Sequence, residues 1–269
     1  MISHAKKVIS TGIFLTLALA FTFIRAEAGE LVEATVLRVI DGDTVEISGG
    51  RRVRLVGIDA PEKGDLLSGE AAGRLRDLTA SRTVVMDICD SRDKYGRILA
   101  TVRTGGVNVN ETLLREGLAL PMLIPPCGTR VSVRILNAAG SGAVSGKGVY
   151  SLSRYRVISH EKAGESAGEF AVVKGKILEF NRTGKVWYFN FGRNWKTDFT
   201  AVVFRNGQAR FVELGIDPAG FTDTEVLVRG KVRNHNGPQI ILHGPDQIIP
   251  LEEITVENPK SKIQNVKKP

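Results

Sequence analysis

Between Leu31 and about Val102 the chain repeats one short unit, a run of three to six mostly apolar residues followed by a polar or glycine-bearing turn. Val36–Ile40 and Val45–Ile47 flank Asp41-Gly42, Val53–Ile58 follows Gly49-Gly50, and Val84–Ile88 and Ile98–Val102 are two further runs. Runs this short and this rich in Val and Ile suit strands rather than helices, so the stretch predicts a small twisted sheet or barrel. Helical signals interleave. Gly69–Ala80 follows a Ser68 cap, Asn110–Gly117 has Asn110 as N-cap and Gly117 as its stop, and Thr129–Val144 is weakened by its glycines.

The chain has 269 residues, which suits one or two cores, and two are expected. Around Ser159–Glu169 the sequence turns small and hydrophilic, as an exposed linker does. Beyond it five strand candidates follow: Phe170–Phe180, Lys185–Phe191, Asp198–Arg205, Glu225–Arg233 and Gln239–Ile249. A short helix near Ala209–Leu214 falls between the third and fourth, which is the element order of an OB-fold. The fold class is therefore β-rich α+β, with two small barrels in series.

The first residues read as an export signal. Lys6 and Lys7 precede an apolar run from Val8 to Ile24, and Ala26-Glu27-Ala28 fits a signal-peptidase site that would leave Gly29 first. The run is long for a cleaved signal, so an uncleaved anchor is the competing reading. Secretion or residence in the periplasm follows, with no stable membrane partner once the signal is removed. In an oxidising compartment Cys89 and Cys127 could pair, and otherwise they are two small buried hydrophobes. The formal net charge of +8 favours polyanionic partners but is equally the mark of a basic solvated surface.

Three short motifs carry chemistry. Asp41-Gly42-Asp43-Thr44 taken alone is a hairpin turn, yet a carboxylate leaving a strand there can coordinate a hard cation. Val53-Arg54-Leu55-Val56-Gly57-Ile58-Asp59-Ala60-Pro61-Glu62 buries an arginine in an apolar run that ends in two acids. Such an arginine requires an anion, either a structural carboxylate or a bound phosphate. Asp93-Lys94-Tyr95-Gly96-Arg97 is a polar turn that hands a second arginine into the next strand. Two acids for a cation, a third beside a water, and two guanidiniums for a phosphate compose a site for metal-assisted phosphodiester hydrolysis.

The co-linear order of D-G-D-T, V-R-L-x-G-I-D-A-P-E, G-E-A at Gly69–Ala71, D-K-Y-G-R, and N-E-x-L-x-R-x-G-L-A at Asn110–Ala119 is similar to the staphylococcal nuclease, or thermonuclease, family over roughly Leu31–Ser151. That resemblance implies a nuclease domain, expected over residues 29–158, while the residues themselves place a signal at 1–28, a linker at 159–169, an OB-like domain over 170–252 and a basic disordered tail over 253–269. It implies Ca²⁺ as cofactor, held by Asp43, Asp59 and the backbone carbonyl of Ala60. It implies Glu62 as the acid that orients or deprotonates the attacking water, Arg54 and Arg97 as the phosphate clamp, and Lys94 and Tyr95 near a terminal phosphate of the substrate. DNA or RNA, single-stranded, would be cut at the 5′ P–O bond by a monomeric enzyme, leaving 3′-phosphates.

Three departures stand out. The loop Lys63–Ser68 is shorter than in the family nuclease, Leu120–Pro125 lacks the tyrosines expected to stack on bases, and neither cysteine belongs to the family pattern.

Eleven of the seventeen aromatic residues lie between Phe170 and Phe221. Alternation puts Trp187, Phe189 and Phe191 on one face, as core, and Tyr188 on the other. Tyr188 and Trp195, with Arg193 and Lys196, are the candidates for stacking and phosphate contact, against a plain reading in which the barrel only packs on the nuclease or meets a protein. The rival to a nuclease is a non-catalytic nucleic-acid or protein-binding module on the same scaffold.

Overall fold

In the computed structural model residues 30–254 are described, apart from 130 and 156. The signal expected over residues 1–28 and the tail from 255 onward lie outside the described residues. Among those described, no helix is long and apolar enough to cross a membrane.

The first barrel is built from β1 (Glu30–Val39), β2 (Thr44–Ile47), β3 (Arg51–Leu55), β5 (Thr83–Arg92) and β6 (Ile98–Thr104). β1 pairs with β2 and β5, β2 with β3, and β5 with β6, all antiparallel, and a parallel β3–β6 pairing closes the ring. Alternation along these strands aims Val36, Val45, Ile47, Val53, Leu55, Val84, Met86 and Val102 at one core, each at most 1% exposed. Burying a side chain of this size contributes about 1.5–3 kcal/mol. The expected strand Val53–Ile58 is broken: β3 stops at Leu55, and β4 (Gly57–Asp59) leaves to pair with β8 (Leu120–Met122). A two-residue strand, β7 (Val107–Asn108), extends β6.

Helix α1 (Ser68–Thr79) starts behind Leu67 in a left-handed conformation, and Ser68 is no cap, since its hydroxyl donates back to the Asp65 carbonyl. Helix α2 (Val109–Arg115) is capped by Asn108, whose side chain accepts from the Glu111 N–H, and not by Asn110. Asn110 is fully buried instead. It accepts from Val102 N–H at 3.0 Å and donates to the Val56 carbonyl at 2.8 Å, clasping the helix to the barrel. The Gly117 stop is a Schellman turn, with Gly117 N–H on the Leu114 carbonyl and Leu118 N–H on that of Leu113.

The second barrel repeats this topology. Its first strand is bent into β10 (Phe170–Lys176) and β11 (Glu179–Arg182), followed by β12 (Val186–Asn190), β13 (Thr200–Phe204), β14 (Glu225–Asn234) and β15 (Pro238–Leu242). At the bend Ile177 N–H bonds toward Thr224, before β14, and Leu178 N–H bonds to Asn190 of β12, so one strand closes the ring at both edges. In both barrels the first strand pairs with the fourth, the third and fifth are parallel, and a helix lies between the third and fourth. That helix is α1 in the first barrel and α4 (Arg205–Glu213) in the second. Phe189, Phe191, Phe199, Phe211 and Phe221 fill the second core.

Residues 159–169 are mostly exposed, as their composition suggests, but they are ordered against the second barrel. β9 (Val157–Ser159) adds a parallel strand beside β10, and a 3-10 turn over His160–Ser166 buries Ala163 completely. The reason is non-local pairing, which no composition records.

The barrels are joined through α3 (Ser132–Ser145) and through β16 (Ile248–Pro250), which pairs with β14. A Cβ on Gly140 would lie 2.0 Å from the Pro250 carbonyl oxygen, and one on Gly142 2.0 Å from that of Leu114. Two residues apart on a helix, these glycines face opposite ways, so α3 is pressed between α2 and the second barrel. Arg229 donates to the Pro121 carbonyl at 2.7 Å, Arg210 to that of Leu123, and Ser132 to that of Leu214 at 2.9 Å. Both arginines also pair with Asp246. Asn137 and Ile254 exchange two hydrogen bonds, which holds the start of the expected tail in place. Cys89 of β5 and Cys127 form a disulfide. It anchors the stretch after β8, which also meets the second barrel where Thr129 donates to the Glu213 carbonyl.

Candidate functional site

The site grows from the turn between β1 and β2. The Asp41 carboxylate accepts from the Asp43 N–H at 3.1 Å, closing an Asx turn. Gly42 has no alternative there, because a Cβ would lie 2.6 Å from the Cβ of Ala60 and 2.8 Å from that of Ala71. That close approach sinks Asp43 to 6% exposure.

Across the ladder from Thr44 stands Arg54, on the face of β3 opposite the core-directed Val53 and Leu55. Its Nη1 donates to the carbonyls of Leu55 and Ile58 at 2.9 and 2.8 Å and lies 3.0 Å from Asp43 Oδ2, while Nη2 reaches Asp59 Oδ1 at 3.3 Å. Asp43 Oδ2 also accepts the Ala60 N–H at 3.0 Å, and Oδ1 accepts the Thr44 hydroxyl at 3.0 Å. The buried arginine thus has its anion within the chain. The break after Leu55 turns the Leu55 and Ile58 carbonyls onto one guanidinium nitrogen.

Thr44 passes the network on, since its hydroxyl oxygen accepts from Arg97 Nη1 at 3.3 Å. Arg97 Nε is held by Asp93 Oδ2 at 2.5 Å. Burial pushes the Asp93 carboxyl up, but bonds from the Arg97 side chain and from the N–H groups of Arg97 and Tyr95 outweigh it and hold the carboxyl below its usual range. Tyr95 is exposed, with the Lys94 ammonium and the Arg97 guanidinium 5.0 and 5.4 Å from its ring centre.

The structure therefore brings Asp43, Arg54, Asp59 and Ala60 into one hydrogen-bonded cluster, with Arg97 joined through Thr44 and with Lys94 and Tyr95 beside Arg97. Glu62 stands apart. It is exposed, and among the described residues its carboxylate makes no hydrogen bond or ion pair. The sequence motifs contained Thr44 and Asp93 but gave them no part, because what they hold is visible only across strands.

Burial raises the Asp43 carboxyl to about 6, against the pull of Arg54 and the Ala60 N–H, with the Asp41 charge adding to the rise. More positive charge beside it would be stabilising. The donors around it are oxygens, the carboxylates of Asp41, Asp43 and Asp59 and the Thr44 hydroxyl, and the described histidines all lie in the second half of the chain. This chemistry fits a hard cation. Among the described residues no three His, Cys, Asp or Glu side chains form an enclosing metal group, so carbonyl, water or substrate oxygens would complete any shell.

Residues 52–131 match the model of the family described as staphylococcal nuclease homologue. The chain carries a staphylococcal nuclease family domain. The matched span of this nuclease domain includes Arg54, Asp59, Glu62 and Arg97 and starts after Asp43. The chain is 41% identical over 92 residues to an uncharacterized endonuclease of Escherichia coli, covering 33% of this chain and 60% of that protein. It is 40% identical over 101 residues to the thermonuclease of Staphylococcus intermedius, 34% of this chain and 60% of that protein. It is 44% identical over 101 residues to endonuclease YncB of Bacillus subtilis (strain 168), 34% of this chain and 48% of that protein. The chain spans about half to three fifths of the length of these relatives.

Proposed function

We propose that the chain is an exported, calcium-dependent nuclease that hydrolyses phosphodiester bonds of single-stranded DNA or RNA as a monomer, cuts the 5′ P–O bond to leave 3′-phosphates, and uses its second barrel to help hold the strand. The observation that carries this reading is the Asp43–Arg54–Asp59 cluster, linked through Thr44 to Arg97, in a domain of the nuclease family. The names of the relatives support the same chemistry.

In this reading Arg97, its Nε and Nη1 occupied by Asp93 and Thr44, keeps Nη2 for a phosphate oxygen, and Arg54 supplies the second positive charge. Both are held before substrate arrives, so little reorganisation is needed as charge builds on the pentacoordinate phosphorus. Glu62 accepts the proton of the attacking water, whose oxygen forms the new bond to phosphorus as the bond to the 5′ oxygen breaks. The leaving oxygen takes its proton from solvent. Bound at Asp43, Asp59 and the Ala60 carbonyl, Ca²⁺ would neutralise phosphate charge and hold a water near phosphorus.

The test uses the secreted protein on single-stranded DNA, with Ca²⁺ and with EDTA, beside Glu62→Gln and Arg97→Ala. Ca²⁺-dependent digestion that falls on the order of a hundred- to a thousand-fold in Arg97→Ala supports the reading. Equal digestion by all three proteins would remove the assigned roles of Glu62 and Arg97, and no digestion in any divalent metal would leave a non-catalytic binding scaffold. Sequencing the amino terminus of the exported chain should find Gly29 first, and finding Met1 would make it an anchored protein.

A further inference from the structure

On the second barrel, the face turned away from the core forms a groove of about 490 Å³, within the ~300–1,000 Å³ of ordinary ligand sites. Strand register builds its floor. Glu179, Asn190, Thr200 and Gln239 make one row across four strands, and Asn181, Tyr188 and Val202 make the next. Although they point outward, Thr200 and Val202 are 7% and 3% exposed, because the groove is deep. Its walls include the β12–β13 loop, with Arg193 and a 56% exposed Trp195, and the β14–β15 turn, with His235 and Asn236. The backbone around Gly237 packs on Lys196–Asp198, so the two walls brace each other.

We infer that this groove binds a short unstacked stretch of single-stranded nucleic acid, with bases on the rings of Tyr188 and Trp195, base edges against side-chain amides such as Asn181, and phosphates at Arg193 and Lys196. Ring faces, amides and cations in one groove are the three chemistries a nucleotide offers partners for. Within the lining Arg193 and Glu179 balance, and Lys196 beside Trp195 tips the rim toward an anion over a neutral sugar. Arg193 lines the groove, the Lys196 ammonium lies 5.5 Å from the Trp195 ring centre, and Glu179 is the one acid among the lining residues. This assignment rests on the nuclease reading for its biological sense, but binding can be measured without cleavage.

Fluorescence anisotropy of a labelled pyrimidine oligonucleotide in EDTA compares the full chain with Tyr188→Ala/Trp195→Ala and with Arg193→Ala, and thermal unfolding checks that each variant is folded. Loss of the rings should weaken binding about tenfold or more. Arg193→Ala should reduce the slope of log K against log salt by about 0.7, the signature of one lost phosphate contact on a single strand. Folded variants that bind as tightly as the parent, or a neutral oligosaccharide such as maltohexaose that occupies the groove without competition from the oligonucleotide, would overturn the assignment. A chain that binds through these residues yet never cleaves would remove the nuclease reading and leave this one. A chain that cleaves while its groove variants bind normally would do the reverse.

Discussion

Replacing Asp43 by Asn should change how metal-free stability depends on pH. The Asp43 carboxyl is raised from 3.8 to about 6, with burial as the largest cause. Because the folded value lies above the unfolded one, the group's contribution is complete below about 3.8, declines as pH rises and is gone above about 6. A window of about two units, at about 1.4 kcal/mol each, amounts to roughly 3 kcal/mol. The assay is urea unfolding followed by circular dichroism in EDTA, from pH 4 to pH 7.5. Because the unfolded carboxyl is already partly ionised at pH 4, the stability of wild type minus that of Asp43→Asn should fall by roughly 2.5 kcal/mol across the range. The low-lying Asp93 carboxyl is common to both proteins and cancels in the difference. Adding Ca²⁺ at pH 7.5 should restore stability to wild type and leave the variant unmoved. Parallel pH curves would show that the buried carboxylate carries no such cost, and the argument for a cation at this position would lose its electrostatic basis.

Reduction of Cys89–Cys127, or its replacement by Ser, should cost about 4 kcal/mol, the loop-closure estimate for a sequence separation of 38, read as a lower urea midpoint. Asn110→Ala should cost about 2–4 kcal/mol by leaving the Val102 N–H and the Val56 carbonyl without this partner in the interior, measured the same way. Gly140→Val should force the Pro250 carbonyl away from α3, costing more than about 3 kcal/mol and exposing the inter-barrel segment to limited proteolysis. Unchanged proteolysis in that variant would mean that the barrels are not held where α3 and β16 meet.

The parts of the fold that depend on neighbouring residues were legible in the sequence. Short apolar runs announced β1 and β2, alternation in β12 announced which of its side chains point inward, and Gly117 announced a helix end. What failed was non-local. Asn108 and Asn110 are two residues apart and chemically identical, yet one caps α2 and the other reaches into the barrel, a difference that only the position of Val56 and Val102 decides. The run Val53–Ile58 reads as one strand, but its break turns two carbonyls onto Arg54. Asp43 and Arg54 could be picked from their motifs. That they pair with each other, and that Thr44 links them to Arg97, depended on strand register.

The glycines that made α3 look like a poor helix have a consequence for how such a chain could have been assembled. With Gly140 and Gly142 opening opposite faces of α3 to two different backbones, the helix belongs structurally to both barrels. A recombination event joining a foreign second barrel beyond residue 146 would inherit a helix face cut for Pro250 rather than for its own carbonyls. A foreign barrel that brought its own helix would in turn have to meet the Leu114 carbonyl with a residue as small as Gly142, so either exchange requires a glycine on the face that changes partner.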